Sequence, residues 1–131
     1  PQSLTLLPDR YVIARLASDA TVPSWATGNF TSVTRTADEL SIVCQEENVP
    51  PGACAERGWS LLKVAGPLRF DETGILASLL SPLANAGIPV FTVSTYDTDY
   101  VLLKENKIRR AKAALTGAGH TVDDPSARAA G

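Results

Sequence analysis

The chain has 131 residues, 44% hydrophobic, 20% charged and 6% aromatic, the balance of a globular protein forming one compact unit or two very small ones. Twelve basic residues stand against fourteen acidic ones, with no basic run of four, which excludes a polycationic surface for nucleic acid. Apolar stretches are strand-length, far short of the roughly 20 residues of a membrane span, and no charged segment leads into an apolar one at the N-terminus, so a soluble cytoplasmic chain is expected.

In chain order, the first half reads as strands with little helix. Leu4 to Leu7 and Tyr11 to Leu16 are separated by Pro8-Asp9, and Pro23-Ser24-Trp25-Ala26 offers at most one helical turn. Phe30 to Thr36 and Leu40 to Gln45 form a hairpin around Ala37-Asp38-Glu39, and Pro50-Pro51-Gly52 ends the segment as a linker. The second half alternates in type. Trp59 to Ala65, closed by Gly66-Pro67, has the length and punctuation of a strand. From Asp71 to Ala86 the residues Ile75, Leu76, Leu79, Leu80 and Leu83 recur at helical spacing, with Asp71 or Thr73 as N-cap, Gly87 as left-handed C-cap and Pro82 expected to bend the helix. Ile88 to Thr95 and Tyr100 to Leu103 make a hairpin across the polar turn Tyr96 to Asp99. Ile108, Ala111 and Leu115 then mark a second helix over 105–118, and His120-Thr121-Val122 a last short strand. The final nine residues, 123–131, are polar or small and read as a frayed end.

The order β-α-β-β-α-β in the second half predicts an α+β, ferredoxin-like (βαββαβ) sandwich: a four-stranded antiparallel sheet with both helices on one face. Sliding the chain by 60 lays Val33-Thr34 over Val93-Ser94, Leu40 over Tyr100 and Ile42-Val43 over Leu102-Leu103, a weak but continuous match. It predicts two units in tandem: a degenerate copy over 1–55, its helices reduced to Pro23–Thr27 and Ala53–Arg57, a full unit over 56–124, and a flexible tail over 125–131.

Catalysis finds little support in the residues. Cys44 and Cys54 read as free, small hydrophobic residues, and with the lone His120 they match no zinc spacing, so no metal and no cofactor are expected. His120 opens a strand with no nucleophile or acid patterned around it and reads as a satisfied structural histidine. Glycine-rich nucleotide loops are absent. What remains is the loop Pro67 to Ile75. A helix N-terminus can receive a carboxylate, and Asp71 and Glu72 beside it can receive an ammonium or guanidinium, which together would seat an amino acid. Capping and surface charge explain the same residues equally well.

Thr73-Gly74-Ile75-Leu76-Ala77, Leu83-Ala84-Asn85-Ala86-Gly87-Ile88 and Val93-Ser94-Thr95-Tyr96-Asp97-Thr98-Asp99-Tyr100-Val101-Leu102 resemble the ACT domain, the amino-acid-sensing regulatory module of aspartate kinases and related enzymes. Phe30 to Thr34 and Asp38 to Val43 look like the first unit of a tandem-ACT group related to cytosolic arginine sensors, which share the Ser-Thr-Tyr-x-Thr-Asp hairpin. The resemblance implies two ACT-like units paired through their second strands into one eight-stranded sheet. It implies a ligand, usually an amino acid, at the seam between one unit's strand-to-helix loop and another's second strand. By position the loop is Asp71, Glu72, Thr73, Gly74 and Ile75, and the strand start is Gly87, Ile88, Pro89 and Val90; Pro89 cannot donate a main-chain amide there. The turn residues Ser94, Thr95, Asp97 and Asp99 are a secondary site. The expected function is a non-catalytic sensor or regulatory protein that binds a small molecule and acts as a homodimer or through a partner protein. The alternative is an interaction module that has lost its ligand.

Overall fold

A computed structural model of the chain describes residues 1–69, 71 and 73–125. The strands are β1 (Ser3–Leu6), β2 (Tyr11–Leu16), β3 (Ser32–Arg35), β4 (Leu40–Gln45), β5 (Ala55–Val64), β6 (Phe91–Ser94), β7 (Asp99–Lys104) and β8 (Thr121–Asp123). The helices are α1 (Ile75–Asn85) and α2 (Ile108–Gly117). The chain divides into two compact units, Asp9–Trp59 and the remainder, in which Pro1–Pro8 joins the segment from Ser60 onward.

The helical unit has the strand order β6-β7-β5-β1-β8. This differs from the expected four-stranded sheet and from a boundary at residue 55, because β1 enters between β5 and β8. It runs antiparallel to β5, with Leu4 opposite Val64, and parallel to β8, with Ser3 opposite Thr121. Sequence alternation identifies a strand but does not say which edge it joins. The core explains the insertion: Leu4 is buried with Leu62, Val64, Val101 and Leu103 from the strands, Leu79 and Leu83 from α1, and Ala111 and Leu115 from α2. Both helices therefore cover one face of this sheet, and each buried leucine contributes about 1.5–3 kcal/mol.

Helix α1 begins at Ile75, later than the expected Asp71, with Gly74 as N-cap at φ 78° and no side-chain cap. Asp71 lies four residues before the first helical residue and is paired instead with Arg69, which donates through Nε at 3.0 Å and Nη2 at 2.6 Å. Phe70 and Glu72 lie outside the described residues, as does the expected tail from residue 126. At the other end Gly87, at φ 74°, closes the helix as the sequence suggests, its amide donating to Ala84 O at 2.9 Å and that of Ile88 to Leu83 O at 3.0 Å. Arg110 also reaches Ala86 O across this end. Pro82 has no N–H for the carbonyl of Ser78 four residues back, and that carbonyl is met instead by His120 Nε2 at 2.9 Å. The His120 ring, 6% exposed, accepts the Gln2 amide on Nδ1 at 2.9 Å, so Nε2 carries the proton. One imidazole thus pins β1 and fills the gap that Pro82 leaves in α1.

The other unit has the strand order β3-β4-β2-β5, all antiparallel, and draws on the first half of β5, with Ala14 opposite Ala55 and Tyr11 opposite Trp59. Its core of Val12, Ala14, Leu40, Ile42, Cys44 and Val49 is covered by Ala20, Trp25 and Ala26 from a loop. Among the described residues no α-helix lies between Asp9 and Trp59. Ala53–Arg57, expected as a helical remnant, enters β5, while a 3-10 turn lies at Glu46–Asn48. Ser32, Leu40 and Glu46 each stand 59 residues before Phe91, Asp99 and Glu105, which open the matching elements of the helical unit. The register agrees, Ser32 facing Val43 as Phe91 faces Leu102. The spacing of these elements is therefore one residue shorter than the sequence match of 60, a slip that would place every matched side chain on the other face.

Tyr11 closes this unit. Its hydroxyl donates to Asn29 Oδ1 at 2.8 Å, Asn29 Nδ2 donates to Asp9 Oδ2 at 2.8 Å, and Phe30 meets the ring edge-on. Burial, and then the Asp9 carboxylate, push the phenol up to about 12. The folded chain holds this proton more tightly than the unfolded chain, so the associated stability is intact below pH 10 and is lost as pH rises from 10 toward 12. We expect the wild type to lose about 2 kcal/mol more than Tyr11→Phe over that window, measured by urea denaturation. Parallel curves for the two proteins would refute this.

Candidate functional site

Within the helical unit, an open cleft of about 230 Å³ lies between the segment after β5 and the β6–β7 turn. One wall is Leu68, Arg69, Gly74, Ile75 and Leu76; the other is Ser94, Thr95, Tyr96, Asp97, Thr98 and Asp99. The first wall ends in the N-terminal turn of α1, whose N-cap, Gly74, has no side chain to meet the leading amides, and these carry a partial positive charge.

The second wall is fixed by its own hydrogen bonds. Thr95 N donates to Thr98 O at 2.9 Å, and Thr98 N to Thr95 Oγ1 at 3.3 Å. Thr98, 3% exposed, donates its hydroxyl to Val64 O at 2.7 Å, tying the turn to β5. Leu68 N donates to Asp97 O at 2.6 Å, joining the two walls at their base. Gly66 allows this approach: a Cβ there would stand 3.0 Å from Asp97 O and from Thr98 Cβ. Ser94 Oγ donates to Asp99 Oδ1 at 2.6 Å, which orients that carboxylate while leaving its other lone pairs available. The cleft is thus lined by two acidic residues, Asp97 and Asp99, by the cationic Arg69, by the first turn of α1 and by the apolar residues Leu68, Ile75 and Leu76. Such a lining suits a zwitterion with an additional cationic group.

Of the loop residues expected from the sequence, Gly74 and Ile75 line this cleft, and the turn residues Ser94, Thr95, Asp97 and Asp99 all do. Asp71 is paired with Arg69 and does not line it, nor does Thr73; Glu72 lies outside the described residues. Gly87, Ile88, Pro89 and Val90 are not brought to it. Gly87 and Ile88 terminate α1, and Ile88 and Val90 pack with the core. Leu68, Arg69, Leu76, Tyr96 and Thr98 also line the cleft without having been singled out from the sequence as site residues, although all but Leu76 sit in the two segments it marked. The alternation of Ser, Thr and Asp about Tyr96 was the available signal, since such residues bond their own turn. His120, bonded on both sides to main chain, stands apart from the cleft. Cys44 is buried and Cys54 exposed, both free, and among the described residues no His, Cys, Asp and Glu cluster could hold a metal. No described helix is long and apolar enough to cross a membrane.

Residues 55–117 match the ACT domain family model, and a second model, of an N-terminal domain, matches 9–52. A crystal structure of a protein from Agobacterium tumefaciens is 44% identical, covering 94% of this chain and 92% of that one at a TM-score of 0.89. The chain carries an ACT domain over residues 55–117. Among curated relatives, subunit 1 of the human cytosolic arginine sensor for mTORC1 is 41% identical over 51 residues, 38% of this chain. That match spans only 16% of the sensor's length. The regulatory subunit of aspartate kinase from Thermus thermophilus, 12% identical with 88% and 96% of the chains covered at a TM-score of 0.62, shares the ACT fold. The fold is α+β and ACT-like, and the family points to a regulatory rather than a catalytic protein.

Proposed function

We propose that this ACT protein is a non-catalytic, cytoplasmic sensor whose cleft binds a free amino acid with a cationic side chain. The observation that carries the reading is that Asp97, Asp99 and the first residues of α1 line one cleft. The α-carboxylate meets the amides of the first turn of α1, and the cationic groups meet Asp97 and the Ser94-oriented Asp99. The likeness to an arginine sensor supports the same ligand class. A bound ligand acts by favouring one of two arrangements of the protein, in a homodimer or with a partner, and shifts that balance by the difference in its affinity for them.

Asp97→Asn and Asp99→Asn should each weaken L-arginine about tenfold or more by isothermal titration calorimetry, the cost of a charge-assisted hydrogen bond. Binding of wild-type strength in both variants would remove these carboxylates from the site. No binding of any amino acid by the wild type would favour the ligand-free interaction module.

A further inference from the structure

Ser78, in the first turns of α1, is bonded in three directions. Its amide donates to Gly74 O at 2.9 Å and its hydroxyl to Ile75 O at 2.6 Å, and both of those residues line the cleft. Its carbonyl lacks the usual donor four residues on, because residue 82 is proline, and meets His120 Nε2 at 2.9 Å instead. The same ring accepts the Gln2 amide on Nδ1 at 2.9 Å, while Gln2 O accepts the Thr121 amide at 2.9 Å. A continuous set of hydrogen bonds therefore runs from the cleft wall, through one imidazole, to the residue that leads into β1, all of it within the helical unit.

We infer that His120 couples the cleft to β1: a ligand held against the first turn of α1 tightens the seating of β1, and a seated β1 strengthens ligand binding by the same factor; this rests on the amino-acid reading above. The element with two states is β1, docked on the sheet or locally open. Of its four residues only Leu4 is fully buried, whereas β7 buries Val101, Leu102 and Leu103, so β1 opens more readily than β7 does. A ligand that meets the leading amides of α1 orders the turn over 74–78 and with it the Ser78 carbonyl. Had that carbonyl been bonded along its own helix, its partner would move with it and nothing would pass to another element. Here the partner is a side chain at the start of β8, and the imidazole is a rigid plane, so what orders Nε2 also orders Nδ1 and the Gln2 amide it holds.

Amide hydrogen exchange of the full labelled chain, followed by NMR with and without saturating L-arginine, tests this in the wild type, His120→Ala and Pro82→Ala. In the wild type L-arginine should slow exchange in β1 about 3- to 10-fold more than in β7, which serves as the measure of any general stabilisation. His120→Ala removes the link, and Pro82→Ala gives Ser78 O a helical partner, so in each the selective slowing of β1 should fall below about twofold while L-arginine still binds. Should His120→Ala not fold, Pro82→Ala decides alone, since alanine favours the helix. L-arginine binding to the wild type without selective slowing of β1, or with slowing that survives in either folded variant, would overturn the coupling and leave the amino-acid reading intact. A wild type that does not bind L-arginine would overturn that reading, and this inference with it.

Discussion

Replacing His120 by alanine is expected to lower the unfolding free energy by about 3 kcal/mol, and replacing Pro82 by alanine should recover part of that loss. The ring satisfies two main-chain groups, the Gln2 amide and the Ser78 carbonyl, each at 2.9 Å. Leaving a buried polar group without a partner costs about 1–3 kcal/mol, and the vacated volume adds to it. An alanine in place of Pro82 would present the N–H that proline lacks, and the helix would then satisfy Ser78 O by its ordinary bond. The Gln2 amide has no such rescue, so the recovery is partial. A double-mutant cycle in urea should give a coupling on the order of 1 kcal/mol, with His120→Ala costing less in the Pro82→Ala background. Strictly additive effects would show that the imidazole does not fill the place of the missing helical bond.

The second large effect is expected at Thr98. Thr98→Val keeps the shape and removes the hydroxyl that donates to Val64 O at 2.7 Å, leaving a buried carbonyl unpaired. The loss should be about 1–3 kcal/mol of stability, and L-arginine affinity should fall about tenfold because the turn bearing Asp97 and Asp99 loses its tie to β5. Thr98→Ser retains the hydroxyl and should keep affinity within about threefold while losing roughly 1 kcal/mol of methyl burial. If Thr98→Val loses stability but binds as the wild type does, the turn is not part of the site.

Much of the helical unit was legible in the sequence because its apolar periods are clean. Leu79 and Leu83, Ala111 and Leu115 fall on buried helix faces as their spacing predicts, and Gly87 adopts the left-handed conformation that ends α1. The insertion of β1 between β5 and β8 was not legible, since strand order follows from long-range packing of residues such as Leu4. The start of α1 was misplaced: Asp71 has the chemistry of a cap but pairs with Arg69, and the helix begins only at Ile75, after Gly74. In the other unit, the sequence match of 60 differs by one from the 59-residue spacing of the elements, because β3 is mostly exposed and carries little alternation. The site divided in the same way. Both sets entered through the family likeness: Ser94, Thr95, Asp97 and Asp99 line the cleft, while Gly87 and Ile88 close α1 and Ile88 and Val90 pack with the core.

The most direct test of the central claim is an NMR titration of the isotopically labelled chain with L-arginine, following backbone amides. The account predicts saturable shifts concentrated at Gly74 to Leu76 and at Ser94 to Asp99, the two walls of the cleft. An unchanged spectrum at millimolar ligand, or shifts gathered at Gly87 to Val90 with both walls silent, would contradict it.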